Sequence, residues 1–251
     1  MDQDKIDKMR RGGKILGNLL RDLRDYVKPG LSGKDIDAWV RKEVEKRGAK
    51  VAYDLLTGDE SFPGSICISI NEQLVHGVPT DYILEEGDKV SFDMVILYQG
   101  YFTDSAFTMI VGKGSPAVKR LLSVTESALW EGIEQVRPGA HLGDIGYAVE
   151  KVLKNNHLGV IENYVGHFIG KEMHESPEVP NYGRRGHGYV LKPGDTLCIE
   201  PMSSLGKPAN HIEKDDASGW TVVLSDGSTA CHFEHTILVT EDGYEVLTLP
   251  D

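Results

Sequence analysis

The chain has 251 residues, 40% of them hydrophobic and 26% charged, the profile of an ordinary globular protein of one large domain or two halves sharing a core. Asp plus Glu (39) exceeds Lys plus Arg (27), and a net charge of −12 disfavours general nucleic-acid binding, which depends on basic patches that release counterions. The longest apolar run, residues 94–98, is far too short to span a bilayer, and the charged segment from Asp2 onward lacks a signal-peptide core.

The spacing of Met9, Leu16, Leu20, Leu23 and Val27 predicts a first helix, stopped by Pro29-Gly30. A second helix follows Ser32, with Ile36, Trp39, Val40 and Val44 on one face. After Pro63-Gly64, residues 66–70 read as a strand. Residues 89–98 and 101–111 alternate as two more strands, joined at Gln99-Gly100. Ser115-Pro116 opens a long helix, with Ser as N-cap and Pro at the first helical position. Val118, Leu121, Leu122, Leu129, Ile133 and Val136 form its apolar stripe, and Pro138-Gly139 ends it.

That ending reveals an internal repeat. Val27-Lys-Pro-Gly matches Val136-Arg-Pro-Gly, and Asp35, Ile36 and Val40 match Asp144, Ile145 and Val149 at the same offset. Gly87-Asp88 through Asp93 then aligns with Gly194-Asp195 through Glu200, and the segment around Asp104 with that around Glu234. A repeat this long points to an ancient duplication rather than a solenoid. The expected fold is α+β: two pseudo-symmetric halves, about 1–114 and 115–251, each with helices packed on an antiparallel sheet, joined in a single catalytic domain over 1–251. A site between the halves would receive equivalent residues from both.

The repeat sets an acid in apolar strand context four times, at Asp93, Glu200, Asp104 and Glu234. Burying such a group is costly unless it is paired or binds a metal. If Gln99-Gly100 is a two-residue loop, paired numbers sum to 199, so Asp93 faces Ala106 and Val95 faces Asp104. The two aspartates then share a face as diagonal neighbours, roughly 7 Å apart. A solvent-exposed polar face explains these two alone; the equivalent pair Glu200 and Glu234 weighs against it. Two divalent cations would balance four acids, and a water between them would lose a proton readily to give a hydroxide nucleophile. One histidine would complete a mixed N/O ligand set that suits Mn, Fe, Co or Zn. His167 and His174 stand out, and His76 follows a strand directly. His141, His157, His187 and His211 lie in loop-like stretches, while His232 and His235 flank Glu234 as candidate supporting groups. Cys67, Cys198 and Cys231 are odd in number and lack CxxC spacing, which argues against disulfides and against a thiolate zinc site, and points to a reducing, cytoplasmic location.

These residues resemble the methionine aminopeptidases, in the compact bacterial type I form. The resemblance covers nearly the whole chain. It rests on Cys67-Ile-Ser-Ile-Asn-Glu leading to His76-Gly77, on Asp93 and Asp104, on Gly166-His167-Phe-Ile-Gly170, on His174-Glu-Ser-Pro177, on Ile199-Glu200-Pro-Met202, and on Phe233-Glu234-His-Thr236. The wider family shares the five-ligand set and the pita-bread fold, and includes proline-specific peptidases and creatinase. The resemblance implies that Asp93 chelates one metal, that His167 and Glu200 bind the other, and that Asp104 and Glu234 bridge both. It implies Glu200 as base and proton shuttle, His76 on the substrate amine or amide, and His174 as donor to the scissile carbonyl. Phe62, Cys67, Trp220 and Met173 match the methionine pocket. The implied reaction is removal of the initiator methionine from nascent chains with a small second residue, with ribosome proximity and a monomeric state as further expectations. Asp59 stands where Tyr is common, and Phe168 replaces a usual Gly, which would narrow the cleft beside His167 or reshape a loop. A proline-specific peptidase is disfavoured because those enzymes generally carry a separate N-terminal domain; a non-catalytic homologue is disfavoured because all five ligand positions are filled.

Overall fold

A computed structural model of the protein describes residues 2–58, 61–206, 212–214 and 218–251; Asp59 and His211 lie outside them. The first half runs α1 (Gln3–Tyr26), α2 (Gly33–Lys46), β1 (Lys50–Val51), a 3-10 turn (Ala52–Leu55), β2 (Cys67–Ile70), β3 (Gln73–Val75), β4 (Lys89–Tyr98) and β5 (Tyr101–Ile110). The second opens with α3 (Pro116–Ile133), α4 (Leu142–Asn155), β6 (Gly159–Val160), β7 (Gly166–Phe168), β8 (Glu175–Val179) and β9 (Thr196–Ile199). It closes with β10 (Met202–Ser204), β11 (Ile212–Lys214), β12 (Val222–Leu224), β13 (Ala230–His232), β14 (Glu234–Val239) and β15 (Tyr244–Val246).

The helices form where the apolar spacing places them. Met9, Leu16 and Leu23 of α1 and Ile36, Val40 and Val44 of α2 are wholly buried, and Trp39 stacks on Tyr26 with ring centroids 4.6 Å apart. Ser32 caps α2 by accepting from the Asp35 N–H. Ser115 caps α3 in the same way through Val118, with Pro116 in the first turn. The α3 stripe is buried at Leu121, Leu129, Ile133 and Val136, while Val118 and Leu122 lie at its half-buried edge. Helix α3 stops at Ile133, earlier than the proline suggests. Gln135 and Val136 instead donate three residues back, to Gly132 and Ile133, in a tightened last turn. Pro138 disfavours helical backbone at the residue before it. Gly13 and Gly17 let the chain's last segment lie on α1: a Cβ there would fall 2.3 Å from the Leu247 carbonyl oxygen and 2.4 Å from that of Thr248.

Among the described residues the largest sheet has nine strands, in the order β1-β4-β5-β14-β9-β7-β8, with β2 also on β4 and β15 on β14. Two antiparallel pairs, β4 with β5 and β9 with β14, meet where β5 pairs with β14. These are the repeated segments, so the two halves meet at the antiparallel β5–β14 pair. The helix entries repeat as well: Ser32 bridges Ile83 before α2, and His141 bridges Val190 before α4. Asp35 and Asp144 each accept the N–H of the residue three before. The main core fills the space between the four helices and the sheet. Among the described residues no helix is long and apolar enough to cross a membrane.

Candidate metal centre and active site

The hairpin register is the one the two-residue loop requires. Tyr98 pairs with Tyr101, Val95 with Asp104 and Asp93 with Ala106. Gln99 and Gly100 both take positive φ, 49° and 86°, the turn geometry whose twist matches paired strands. On the other side of β5, Ala106 pairs with Glu234. Asp93 and Glu234 therefore flank a residue with only a methyl group. In β9, Ile199 pairs with His235, so Glu200 continues the row beside Glu234. Side chains two apart on a strand share a face, and Asp104 joins from the neighbouring row. Thr236 locks it there: its hydroxyl accepts from the Asp104 N–H at 3.0 Å and donates to the Asp104 carbonyl at 2.7 Å.

His167 arrives from β7. Its Nδ1 lies 3.0 Å from the Phe168 carbonyl oxygen, which can only accept, so the proton sits on Nδ1 and the Nε2 lone pair faces inward. Nε2 is 3.7 Å from Asp104 Oδ2 and 3.6 Å from Glu200 Oε1. Burial, and secondarily His174, drives the His167 pKa down to about 3, so the ring is neutral and ready to ligate. Burial pushes the carboxyls of Asp104, Glu200 and Glu234 well above their ordinary range, with neighbouring acids adding to the shift. Asp93 is raised too, chiefly by burial. Asp104 Oδ1 and Glu234 Oε1 are buried without any hydrogen-bond partner. Crowded carboxylates, orphaned oxygens and a neutral inward-facing imidazole fit a bound divalent cation.

The side chains given metal, catalytic or methionine-pocket roles in the sequence analysis line one cavity of about 370 Å³, whereas Phe168, His232 and His235 do not. His174 stands edge-on to His167, with ring centroids 4.5 Å apart, and burial lowers its pKa. His76 holds φ at 57°, uncommon for a residue with a side chain, and Gly77 sustains it. A Cβ on Gly77 would fall 2.2 Å from the Ile68 carbonyl oxygen, and the Gly77 carbonyl accepts from the Ile68 N–H at 2.8 Å. At the apolar end Phe62 packs edge-on against Trp220, and Trp220 Nε1 donates to the Ser61 carbonyl at 3.0 Å. Met173 and Cys67 complete that wall.

Phe168 does not narrow the cleft. Its ring packs into the core against Tyr189, on the face away from His167, as strand alternation demands. Sequence reasoning passes over Tyr53, whose hydroxyl lies 3.4 Å from Cys67 Sγ and whose ring packs on Phe62. It leaves His232 open, and the structure sets His232 Nε2 3.5 Å from Glu200 Oε2. The adjacency of His232 to Glu234 was the only signal for it.

Residues 7–241 match metallopeptidase family M24, and the chain belongs to that family. It is 41% identical over 240 residues to methionine aminopeptidase 1 of Bacillus subtilis, covering 96% of this chain and 94% of that one. Methionine aminopeptidase of Aquifex aeolicus is also 41% identical, covering 98% and 96%. The crystal structure of methionine aminopeptidase from Rickettsia prowazekii superposes with a TM-score of 0.94 at 37% identity, covering 99% and 98% of the two chains. The prolidase from Pyrococcus horikoshii, at 22% identity and a TM-score of 0.77, shares the fold and contains further chain: this protein spans 63% of it. The fold is the pita-bread fold of these peptidases.

Proposed function

We propose that the protein is a methionine aminopeptidase that removes the N-terminal methionine from peptides and nascent proteins with a small second residue. The observation that carries the proposal is one cavity in which four carboxylates and a neutral histidine adjoin an aromatic and sulfur-lined wall. Asp93 would help to hold one divalent cation, His167 and Glu200 would help to hold a second, and Asp104 and Glu234 would serve both. The +4 of two such cations balances the four acids, and Mn, Fe, Co or Zn would serve. When bound, the metal pair makes water acidic enough to act as a nucleophile and polarises the scissile carbonyl.

The protein's own groups then divide the work. Glu200 takes the proton of the attacking water and returns it to the departing amide nitrogen. His232 Nε2 lies 3.5 Å from Glu200 Oε2 without a hydrogen bond to it, within reach should that carboxylate shift during the proton transfer. His174, neutral at physiological pH, donates an N–H to the oxyanion of the tetrahedral intermediate. His76, aimed by its strained backbone, contacts the substrate amine or amide. Phe62, Trp220, Cys67 and Met173 surround an unbranched thioether, a shape and polarisability they match. The chain acts as a single catalytic domain and as a monomer.

The test is release of free methionine from Met-Ala-Ser by metal-stripped protein, with and without Mn or Co, beside an Xaa-Pro peptide. Metal-dependent release from Met-Ala-Ser is expected. Cleavage of the Xaa-Pro peptide alone, or of neither peptide by metal-loaded protein, overturns the proposal.

A further inference from the structure

A buried charge also lies outside the acidic centre. Lys89, the first residue of β4, is 0% exposed. Its ammonium donates at 3.1 Å to the carbonyl of Ser69, in β2, and at 3.1 Å to the carbonyl of Gln73, in β3. Among the described residues no carboxylate pairs with it, and Glu72 acts on it only through space. Stability does not account for such a group. Burying an ion is costly, and an apolar side chain of similar size often serves a fold as well or better.

The two carbonyls belong to different sheets. Strand β2 pairs with β4 in the nine-stranded sheet, where Cys67 lies opposite Asp93. Strand β3 pairs with β12 in a three-stranded sheet, and His76 follows its last residue directly. Trp220 lies two residues before β12. The first sheet thus supplies acids of the cavity floor, and the second leads into its His76 and Trp220 wall. Among the described residues no ladder joins β2 to β3, and the Lys89 ammonium ties one to the other. From Ser69 the tie continues toward the site. The Ser69 hydroxyl accepts from the Gly77 N–H at 3.1 Å, one residue past His76. Asn71, in the turn between the strands, accepts the Lys89 backbone N–H on its side chain at 3.1 Å and donates its own N–H to the Lys89 carbonyl at 2.8 Å. This frame supports the positive φ of His76, whose ring stands edge-on to Tyr164 and Trp220, with centroids 5.9 and 6.2 Å away.

We propose that Lys89 is a positioning residue for His76: its ammonium clamps the two sheets together and sets where His76 meets the substrate above the acidic floor. The inference rests on the reading of this cavity as a methionine aminopeptidase site. An ammonium suits the task because it gathers three donors at one point, so one side chain reaches carbonyls of two strands. Methionine at this position would fill much the same space and leave both carbonyls without that partner. A misplacement on the order of 1 Å at a group that contacts substrate can cost about a hundredfold in rate, so the clamp matters more to the reaction than to folding.

The experiment is a double-mutant cycle on the metal-loaded full chain at pH 7, with Met-Ala-Ser as substrate. Lys89→Met should lower kcat/KM about tenfold or more in otherwise wild-type protein, and by less than about twofold when His76→Asn is already present. A residue that only holds the fold together would cost the same factor in both backgrounds. Lys89→Gln, which keeps N–H donors on a shorter stem, should fall between wild type and Lys89→Met, and it takes the place of Lys89→Met in the cycle if that variant does not fold. A second readout needs no turnover. In NMR spectra of the full chain with diamagnetic Zn added, the His76 ring signals, assigned by their loss in His76→Asn, should shift in Lys89→Met while those of His174 stay in place. Equal factors in the two backgrounds, or His76 signals that do not move, overturn the proposal and leave the functional reading standing. If wild type releases no methionine, the functional reading fails, and the NMR comparison alone decides whether Lys89 positions His76.

Discussion

Substituting Glu234→Gln separates what the buried acids cost the fold from what they contribute to the site. Glu234 is 1% exposed and belongs to a group whose ligand atoms lie within 4.8 Å of one another, Asp104 among them. Two ionised carboxylates at that distance repel by about 3 kcal/mol at an effective dielectric constant of about 20. In chelator at pH 8 the variant should therefore be more stable than wild type, by at most about that amount. For a chain of this size that is roughly 5–10 °C in Tm. The sign with pH follows from the raised Glu234 pKa. The folded state holds this proton more tightly than the unfolded state, so the metal-free wild type loses stability as pH rises through the folded pKa. The variant lacks that slope, and its advantage should shrink as the buffer is taken toward pH 5. Added Mn or Co should reverse the order, because a ligand that binds only the native state stabilises by mass action and the variant has lost one of the proposed ligand oxygens. Differential scanning calorimetry with and without chelator reads all three effects. Equal Tm values in chelator at pH 8, or equal stabilisation of both proteins by metal, would refute the reasoning.

Two more outcomes follow from single residues. His174→Ala should lower kcat by about 10²–10³ with little change in KM and an unchanged circular dichroism spectrum, since the lost N–H matters most once the oxyanion has formed; a rise in KM alone would place His174 in substrate binding instead. Lys89 is wholly buried, its ammonium donating at 3.1 Å to the Ser69 and Gln73 carbonyls, and burial lowers its pKa from 10.5 to about 8. Between those values the unfolded chain binds more protons, so this group makes wild type gain about 3 kcal/mol as pH rises. Lys89→Met should remove that gain, about 2 kcal/mol of which falls between pH 7.5 and 9.5, and parallel stability profiles from urea titrations at those two pH values would show the idea to be wrong.

The hairpin was legible because its loop is two residues long and strand periodicity is two, so counting alone put Asp93 and Asp104 on one face. The duplicated segments carried the argument across to Glu200 and Glu234, which makes the central four strands readable from spacing. The histidine was not readable that way. His167 lies in a three-residue strand with no periodicity, and family resemblance, not spacing, singled it out. Lys89 and Thr236 gave no signal: each opens or fills an apolar-looking strand, and their significance arises from what the neighbouring strand places beside them. The pocket residue Tyr53 sits in a short 3-10 turn, whose contacts depend on how β2 packs beneath it.

The meeting of β5 with β14 also sets an order of events during synthesis. The Asp104 backbone must wait for a partner 132 residues further along the chain. At the usual pace of about 5–20 residues per second, the ribosome takes on the order of ten seconds to deliver it. Throughout that interval the β4–β5 hairpin can form, while one long edge of β5 has no strand to pair with. An open, apolar edge invites pairing with the wrong chain, and a charge on it is a recognised deterrent. Asp104 supplies that charge among Phe102, Ala106 and Phe107. The same carboxylate proposed to serve chemistry in the finished protein thus guards the unfinished one, and a neutral residue at this position would be felt first as poor yield from cells, before any assay is run.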